Sequence, residues 1–121
     1  MSELKDSILL EKSKLFSIRV VNLYKHLTGK KKEYVMSKQL LRSGTSIGAN
    51  LCEGNFAFSH KEFIAKLQIS LKEASESHYW LELLYKTDYI TEDEFLSIDS
   101  ECTELIKMLV ASLKTAKKNS E

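Results

Sequence analysis

The 121-residue chain contains no proline and only four glycines. Proline interrupts helices and glycine supplies tight turns, so a β-sandwich or an α/β fold of this length normally uses more of both. Their scarcity favours long, uninterrupted helices. With 43% hydrophobic and 29% charged residues, the composition is that of a globular protein, and the length suits one domain spanning residues 1–121.

Apolar residues recur at helical spacing in four segments, which predicts helices over about residues 7–28, 33–54, 59–86 and 91–116. The connections are short, so consecutive helices run antiparallel. The sequence therefore predicts an all-α fold, an up-down-up-down antiparallel four-helix bundle. Its core is expected to contain the residues of the four apolar stripes: Phe16, Val20, Leu40, Ile47, Leu67, Leu71, Leu81, Cys102, Leu105 and Leu109.

Helix boundaries carry their own signals. Ser59 with Glu62, and Thr91 with Glu94, have the spacing of a capping box, in which hydroxyl and carboxylate satisfy free backbone N–H groups reciprocally. Gly29 follows the first apolar stripe, where a glycine in the left-handed conformation often ends a helix. These signals predict where helices one, three and four begin or end.

No stretch of about 18 apolar residues occurs, and the N-terminus lacks the features of a secretory signal. We expect a cytoplasmic protein in which Cys52 and Cys102 are reduced core thiols. Glu-x-x-His pairs, Cys-x-x-Cys, phosphate-binding loops and nucleophile motifs are absent from the sequence. The sequence therefore predicts no enzymatic activity, no metal and no cofactor.

The net charge of +1 conceals an asymmetry along the chain. Residues 1–50 carry ten Lys/Arg and four Asp/Glu, whereas residues 51–121 carry eight and thirteen. Either basic and acidic helices neutralise each other inside one bundle, or the basic half meets an anionic partner or the acidic side of another subunit. The candidates for contact with nucleic acid are Lys25, Lys30, Lys31, Lys32, Lys38 and Arg42.

The second helix has an unusual pattern. A polar line with helical spacing consists of Arg42, Ser46, Asn50 and Glu53. Gly44 and Gly48, one turn apart, would let another backbone approach closely, although each costs roughly 1 kcal/mol of helix stability relative to alanine. We interpret this helix as a crowded, partly polar interface between subunits. The alternative is a solvated polar face with small-residue packing inside one subunit.

Aromatic residues exceed what the inner stripes of a small bundle can bury. They are Phe56, Phe58, Tyr79, Trp80 and Tyr89. Trp and Tyr are enriched at protein interfaces, so this surplus predicts a second buried surface, formed by self-association. A satellite cluster under the turn between helices two and three is the alternative.

Two blocks of the sequence resemble the bacterial family of 23S rRNA-intervening-sequence proteins. The first block is QLLRSGTSIGANLCEG at residues 39–54, and the second comprises KEFIAKL at 61–67 and LKEASESHYW from residue 71. The matching positions are Gln39, Arg42, Ser43, Ser46, Asn50, Glu53, Gly54, Glu73, Tyr79 and Trp80. The resemblance implies a four-helix bundle that assembles as a homopentameric ring. A related branch, the accessory protein of diversity-generating retroelements, binds nucleic acid and a reverse transcriptase.

Two functions remain open at this point. The first is an oligomeric scaffold that binds structured RNA, or an RNA–protein complex, through its basic half. The second is a structural or adaptor protein that contacts other proteins and no nucleic acid. Salt-dependent RNA binding separates the two, because only phosphate contacts release counterions.

Overall fold

The computed structural model describes residues 7–119, which form four helices: α1 (Ile8–Gly29), α2 (Met36–Gly54), α3 (His60–Lys86) and α4 (Glu92–Lys118). No strand occurs within this range. Each helix packs against two neighbours, in the order α1–α2–α3–α4 and back to α1, and within residues 7–119 the diagonal pairs bring no Cα atoms within 8 Å of each other. The predicted up-down-up-down four-helix bundle is confirmed. None of the four helices is long and apolar enough to span a membrane.

The antiparallel order gives the bundle two distinct ends. The two-turn end holds the α1–α2 connection, residues 30–35, and the α3–α4 connection, residues 87–91. The terminal end holds the α2–α3 connection, residues 55–59, with the start of α1 and the end of α4. A hydrogen-bonding contact of 2.7 Å between His60 Nε2 and the carbonyl oxygen of Ala116 joins α3 to α4 at the terminal end.

Nine of the ten predicted core residues are buried, and the tenth, Leu71, is only half-buried. The buried face of α3 includes Ser70 and Ser77, whose hydroxyls contact α2, so this face is centred on the side toward α2. Leu71 therefore lies at the margin of the core instead of inside it. The prediction that Leu71 lies in the core was wrong because the small polar residues Ser70 and Ser77 occupy part of the interior face of α3.

Small side chains bring α2 close to α3. The Ser43 and Ser77 hydroxyl oxygens are 2.9 Å apart, and Ser70 donates a hydrogen bond of 2.9 Å to the Ile47 carbonyl oxygen. These hydroxyls are buried and satisfied, so they impose no unpaired polar group on the core. The α2–α3 contact is consequently the most extensive of the four helix pairs.

The capping signals are partly correct. Thr91 and Glu94 form the predicted capping box at the start of α4. Ser59 accepts a hydrogen bond from the Glu62 backbone N–H, but the Glu62 carboxylate accepts from Phe58 rather than from Ser59. Only half of the capping box predicted for Ser59 and Glu62 therefore forms.

The predicted left-handed stop at Gly29 is wrong. Gly29 is the last residue of α1, and no glycine within residues 7–119 has a positive φ. The left-handed positions are occupied instead by Lys32 and Asp88, with φ of 56° and 68°. Both lie in the connections of the two-turn end, so the chain reverses there without glycine.

Candidate nucleic-acid interface

The α1–α2 connection is anchored by Glu33. Its carboxylate accepts hydrogen bonds from the backbone N–H groups of Val35, Met36 and Ser37 at 2.7–3.0 Å. The Ser37 hydroxyl donates to the Glu33 carbonyl oxygen at 2.8 Å. These bonds satisfy N–H groups at the start of α2 that have no partner inside the helix. This arrangement explains why α2 begins at Met36 and not at the predicted residue 33.

Glu33 is 7% exposed, and its charge is stabilised where it lies. Burial alone raises the pKa of its carboxyl group. The hydrogen bonds from the Ser37, Met36 and Val35 backbones outweigh burial, and the pKa is lowered from its ordinary value. A charged carboxylate thus fixes the connection, and the N-terminal end of the α2 dipole favours that charge.

The anchored connection presents lysines to solvent. Lys30, Lys31 and Lys32, named here the lysine turn, are all exposed, as are Lys25 near the end of α1 and Lys38 in the first turn of α2. Among residues 7–119, none of these five lysines forms an ion pair. The structure therefore brings together, at the two-turn end, five of the six residues predicted to contact nucleic acid.

Tyr34 lies beside the lysine turn and is 57% exposed. Its ring makes no aromatic contact within the part of the chain described here. Sequence reasoning missed both Tyr34 and the anchoring role of Glu33. The anchoring role of Glu33 had one signal in the sequence, because an acidic residue stands three positions before Met36, the first residue of α2.

The same end of the bundle also carries acidic residues. The first turn of α4 contains Glu92, Asp93 and Glu94, next to the α3–α4 connection. The pKa of the Glu94 carboxyl is lowered, chiefly by a hydrogen bond from the Thr91 backbone, and the charge of Lys31 contributes. The two-turn end is therefore basic on its α1–α2 side and acidic at the start of α4.

Arg42, the sixth candidate, differs from the lysines because its charge is compensated. The guanidinium forms ion pairs with Glu73 and Glu76 of α3. Hydrogen bonds to Glu76 and then Glu73 raise the pKa of Arg42. The pKa of Glu76 is lowered by the indole N–H of Trp80 and then by Arg42. This network ties α2 to α3, and it leaves little uncompensated charge for a phosphate.

The rest of the polar line on α2 also makes contacts inside the subunit. Ser46 donates to the Arg42 carbonyl oxygen, Asn50 donates to that of Ser46, and Glu53 pairs with Lys66 of α3 at 2.7 Å. The line lies along the solvent edge of the α2–α3 contact. Its ionic partners come from the neighbouring helix.

Gly44 and Gly48 lie on the other side of α2, both buried against α1. A Cβ added at Gly44 would stand 2.8 Å from a Val20 methyl group, and one at Gly48 would stand 3.1 Å from Ser13 Oγ. The two glycines therefore do not lie on the face of α2 that carries Arg42. They instead let α1 approach α2 inside one subunit.

Charge neutralisation between helices is part of the fold. On the α1–α4 side, Lys12 pairs with Glu104 at 3.0 Å and Arg19 pairs with Glu101. On the α2–α3 side, Arg42 plays the same role. Basic residues of the first half thus meet acidic residues of the second half within one subunit. The lysine turn, Lys25 and Lys38 belong to the part of the basic half that these pairs leave uncompensated.

The surplus aromatics have different environments. Phe56 and Phe58, in the α2–α3 connection at the terminal end, are 82% and 98% exposed. Tyr79 is 55% exposed and packs edge-on against the partly buried Trp80, with ring centroids 5.0 Å apart. Tyr89 is partly buried against the core. No satellite cluster covers the two phenylalanines within residues 7–119.

A groove of about 510 Å³ lies between α1 and α4 near the two-turn end. Its apolar floor contains Leu23, Ile90 and Ile98, and its rim includes Arg19 and His26. Within the described range no three His, Cys, Asp or Glu side chains gather in a way that could hold a metal ion. Cys102 is buried, which raises the pKa of its thiol to about 12, and Cys52 is half-buried; both are free thiols.

The chain matches known proteins over most of its length. A family model described as 23S rRNA-intervening sequence protein matches residues 5–111. Among solved structures, the chain is similar to a protein of unknown function from the S23 ribosomal protein family of Bacteroides thetaiotaomicron VPI-5482, with 53% identity and a TM-score of 0.88. The match covers 88% of this chain and 99% of that one. No curated protein matches the chain.

Proposed function

Since the chain belongs to the 23S rRNA-intervening sequence protein family, we propose that it is a non-enzymatic, oligomeric bundle protein that binds structured RNA, or an RNA–protein complex, through the lysines of the two-turn end. The observation that carries this proposal is the lysine turn itself. Its three exposed ammonium groups have no ionic partner in residues 7–119, whereas Lys12, Arg19 and Arg42 are all neutralised.

Electrostatics supports an anionic partner at this surface. Unpaired lysines attract phosphate without reading sequence, and each phosphate contact releases a counterion. The Glu33 anchor holds the connection in one conformation, so little ordering entropy is lost when a ligand binds. Such a surface suits RNA recognised by its backbone. RNA and reduced thiols are both found in the cytoplasm, where we place this activity.

Self-association into a ring is the second part of the proposal, and the number of five subunits comes from the family resemblance. The exposed aromatics Phe56, Phe58 and Tyr79 support a second apolar surface. The glycines do not contribute, because they are used inside the subunit, and the charge asymmetry is partly neutralised there. Sedimentation velocity at tens of micromolar tests the ring, and a monomer would refute it.

An adaptor protein without RNA contact is the second candidate function. Phe58, at 98% exposure, is the observation that favours it, because aromatic residues including Phe are enriched in protein–protein interfaces. This candidate expects partner binding to depend on Phe56 and Phe58. It also expects RNA binding to be absent at low salt.

The decisive experiment compares two triple variants. One replaces Lys30, Lys31 and Lys32 by glutamine. The matched control replaces Lys114, Lys117 and Lys118, which are exposed near the terminal end, with the same loss of charge. Binding of a labelled hairpin RNA is followed by fluorescence anisotropy between 50 and 200 mM salt.

We expect the lysine-turn variant to bind more weakly and with a flatter salt dependence. The slope of log K against log salt falls by up to about 0.9 for each phosphate that the protein no longer neutralises. The control variant is expected to resemble the wild type. Equal effects of both variants would show a nonspecific charge effect, and no wild-type binding at 50 mM salt would leave the adaptor function.

A further inference from the structure

We propose that Tyr34 is a stacking platform for an unpaired RNA base and that the lysine turn holds the adjoining phosphates, so that this end of the bundle recognises single-stranded segments of an RNA. The inference rests on the proposed RNA-binding function and adds the kind of RNA bound. Tyr34 is 57% exposed and lies two residues from Lys32. Aromatic rings beside cations are the usual elements of single-strand recognition.

The Tyr34 ring is available for stacking. It makes no ring contact within residues 7–119, in contrast to Tyr79, which is equally exposed but packs against Trp80. Its backbone is fixed between Glu33, whose carboxylate accepts the Val35 N–H, and the start of α2. An exposed aromatic on an immobilised backbone stays exposed instead of collapsing onto the bundle.

Lysines both precede and follow Tyr34 in the sequence. Lys32 adopts a left-handed conformation with φ of 56°, which turns the chain between the lysine turn and Tyr34. Lys38 lies four residues after Tyr34, in the first turn of α2. A nucleotide whose base stacks on Tyr34 would therefore have lysines on both sides for its flanking phosphates.

Tyr34 can stack only on a base that is not paired and stacked within a duplex. In a duplex each base is stacked between its neighbours, and the A-form grooves leave no base face for a protein ring. A platform such as Tyr34 can act only on an unstacked base. The acidic first turn of α4, at the same end, would repel a wide duplex more than a single strand lying along the α1–α2 side.

The test uses a 12-nucleotide oligouridine and a blunt RNA duplex as separate labelled probes. The full-length protein is compared with Tyr34→Ala, Tyr34→Phe and the control Leu96→Ala, by fluorescence anisotropy at several salt concentrations. Leu96 is 57% exposed, as Tyr34 is, so the control removes an equally exposed apolar side chain. Circular dichroism checks that each variant retains its helices. Because both side chains are exposed, the variants are expected to fold.

Loss of one stacked base weakens binding by about five- to 150-fold. We expect Tyr34→Ala to lose oligouridine affinity in that range with an unchanged salt slope, because every phosphate contact is retained. Tyr34→Phe should bind like the wild type, since the ring remains, and Leu96→Ala should have no effect. Duplex affinity should be the same in all four proteins.

Several results would overturn the proposal. If Tyr34→Ala binds oligouridine as well as the wild type, while the lysine-turn variant still loses affinity, RNA binding stands and stacking is refuted. If Tyr34→Ala and Leu96→Ala lose oligouridine affinity equally, or if duplex affinity falls to the same extent, Tyr34 has no specific role. If the wild type binds neither probe, both the inference and the proposed function fail.

Discussion

Gly44 offers the sharpest test of how this bundle is packed. It lies inside α2, where replacing a glycine by alanine ordinarily stabilises a helix by about 1 kcal/mol. Here the new methyl group would stand 2.8 and 2.9 Å from the two Val20 methyl groups. Val20 is completely buried, and a β-branched side chain in a helix has one strongly preferred rotamer, so it cannot turn away.

Overpacking of this kind costs about 1–3 kcal/mol. After subtraction of the helix-propensity gain, Gly44→Ala is expected to lower the free energy of unfolding by up to about 2 kcal/mol. Gly29→Ala is the matched control, because Gly29 is helical and has nothing within 4 Å of the added methyl. That control should be neutral or slightly stabilising. Gly44→Ala is therefore expected to be less stable than Gly29→Ala by up to about 3 kcal/mol.

Urea unfolding, followed by circular dichroism at a fixed protein concentration, measures both values. Concentration must be fixed because self-association would add to the apparent stability. A double-mutant cycle with Val20→Ala identifies the cause, since removing the Val20 methyls should relieve the clash with a coupling energy of about 0.5–3 kcal/mol. If Gly44→Ala is as stable as Gly29→Ala, or if the cycle shows no coupling, the close α1–α2 contact is refuted.

Three further outcomes are expected. Because the pKa of Glu33 is lowered, its charged carboxylate contributes fully to the free energy of unfolding above the ordinary pKa of 4.5. This contribution is lost as the pH falls through the lower pKa of the folded state. In urea unfolding, Glu33→Gln should cost about 0.5–2 kcal/mol at pH 7 and should flatten the dependence of stability on acid pH. Leu67→Ala, at a fully buried site, should cost about 2–5 kcal/mol, and Leu71→Ala clearly less, in the same assay; equal losses would contradict the half-burial of Leu71. A thiol reagent should modify Cys52 in the native protein while Cys102, with its pKa raised to about 12, reacts only on unfolding; two equal rates would refute this.

The helices themselves were predictable because their signals are local. Apolar spacing located all four, and Thr91 with Glu94 marked the start of α4 correctly. The start of α2 was misplaced because Glu33 caps the helix from outside through its side chain, a role that depends on where the chain folds back. Leu71 was misplaced because the buried face of α3 is set by its contact with α2, which is a tertiary property.

The candidate site was harder to predict. The lysine turn was recognisable from composition, but only the structure separates its unpaired lysines from Arg42, which is compensated by two glutamates of another helix. The glycines of α2 were recognised as positions of close approach. Their partner could not be inferred, because small residues permit close contact equally well within a subunit and between subunits.

The α1–α4 edge differs from the other three sides of the bundle in a way that bears on its motions. These are the first and last helices, no connection joins them, and their contact is the least extensive of the four. Exposed ion pairs such as Lys12–Glu104 bridge them, and a groove separates them near the two-turn end. Exposed pairs contribute at most about 1 kcal/mol each and are weakened by salt. Transient separation of the helices should therefore begin between α1 and α4. The contact between α2 and α3, with its buried serines, should stay intact while they separate.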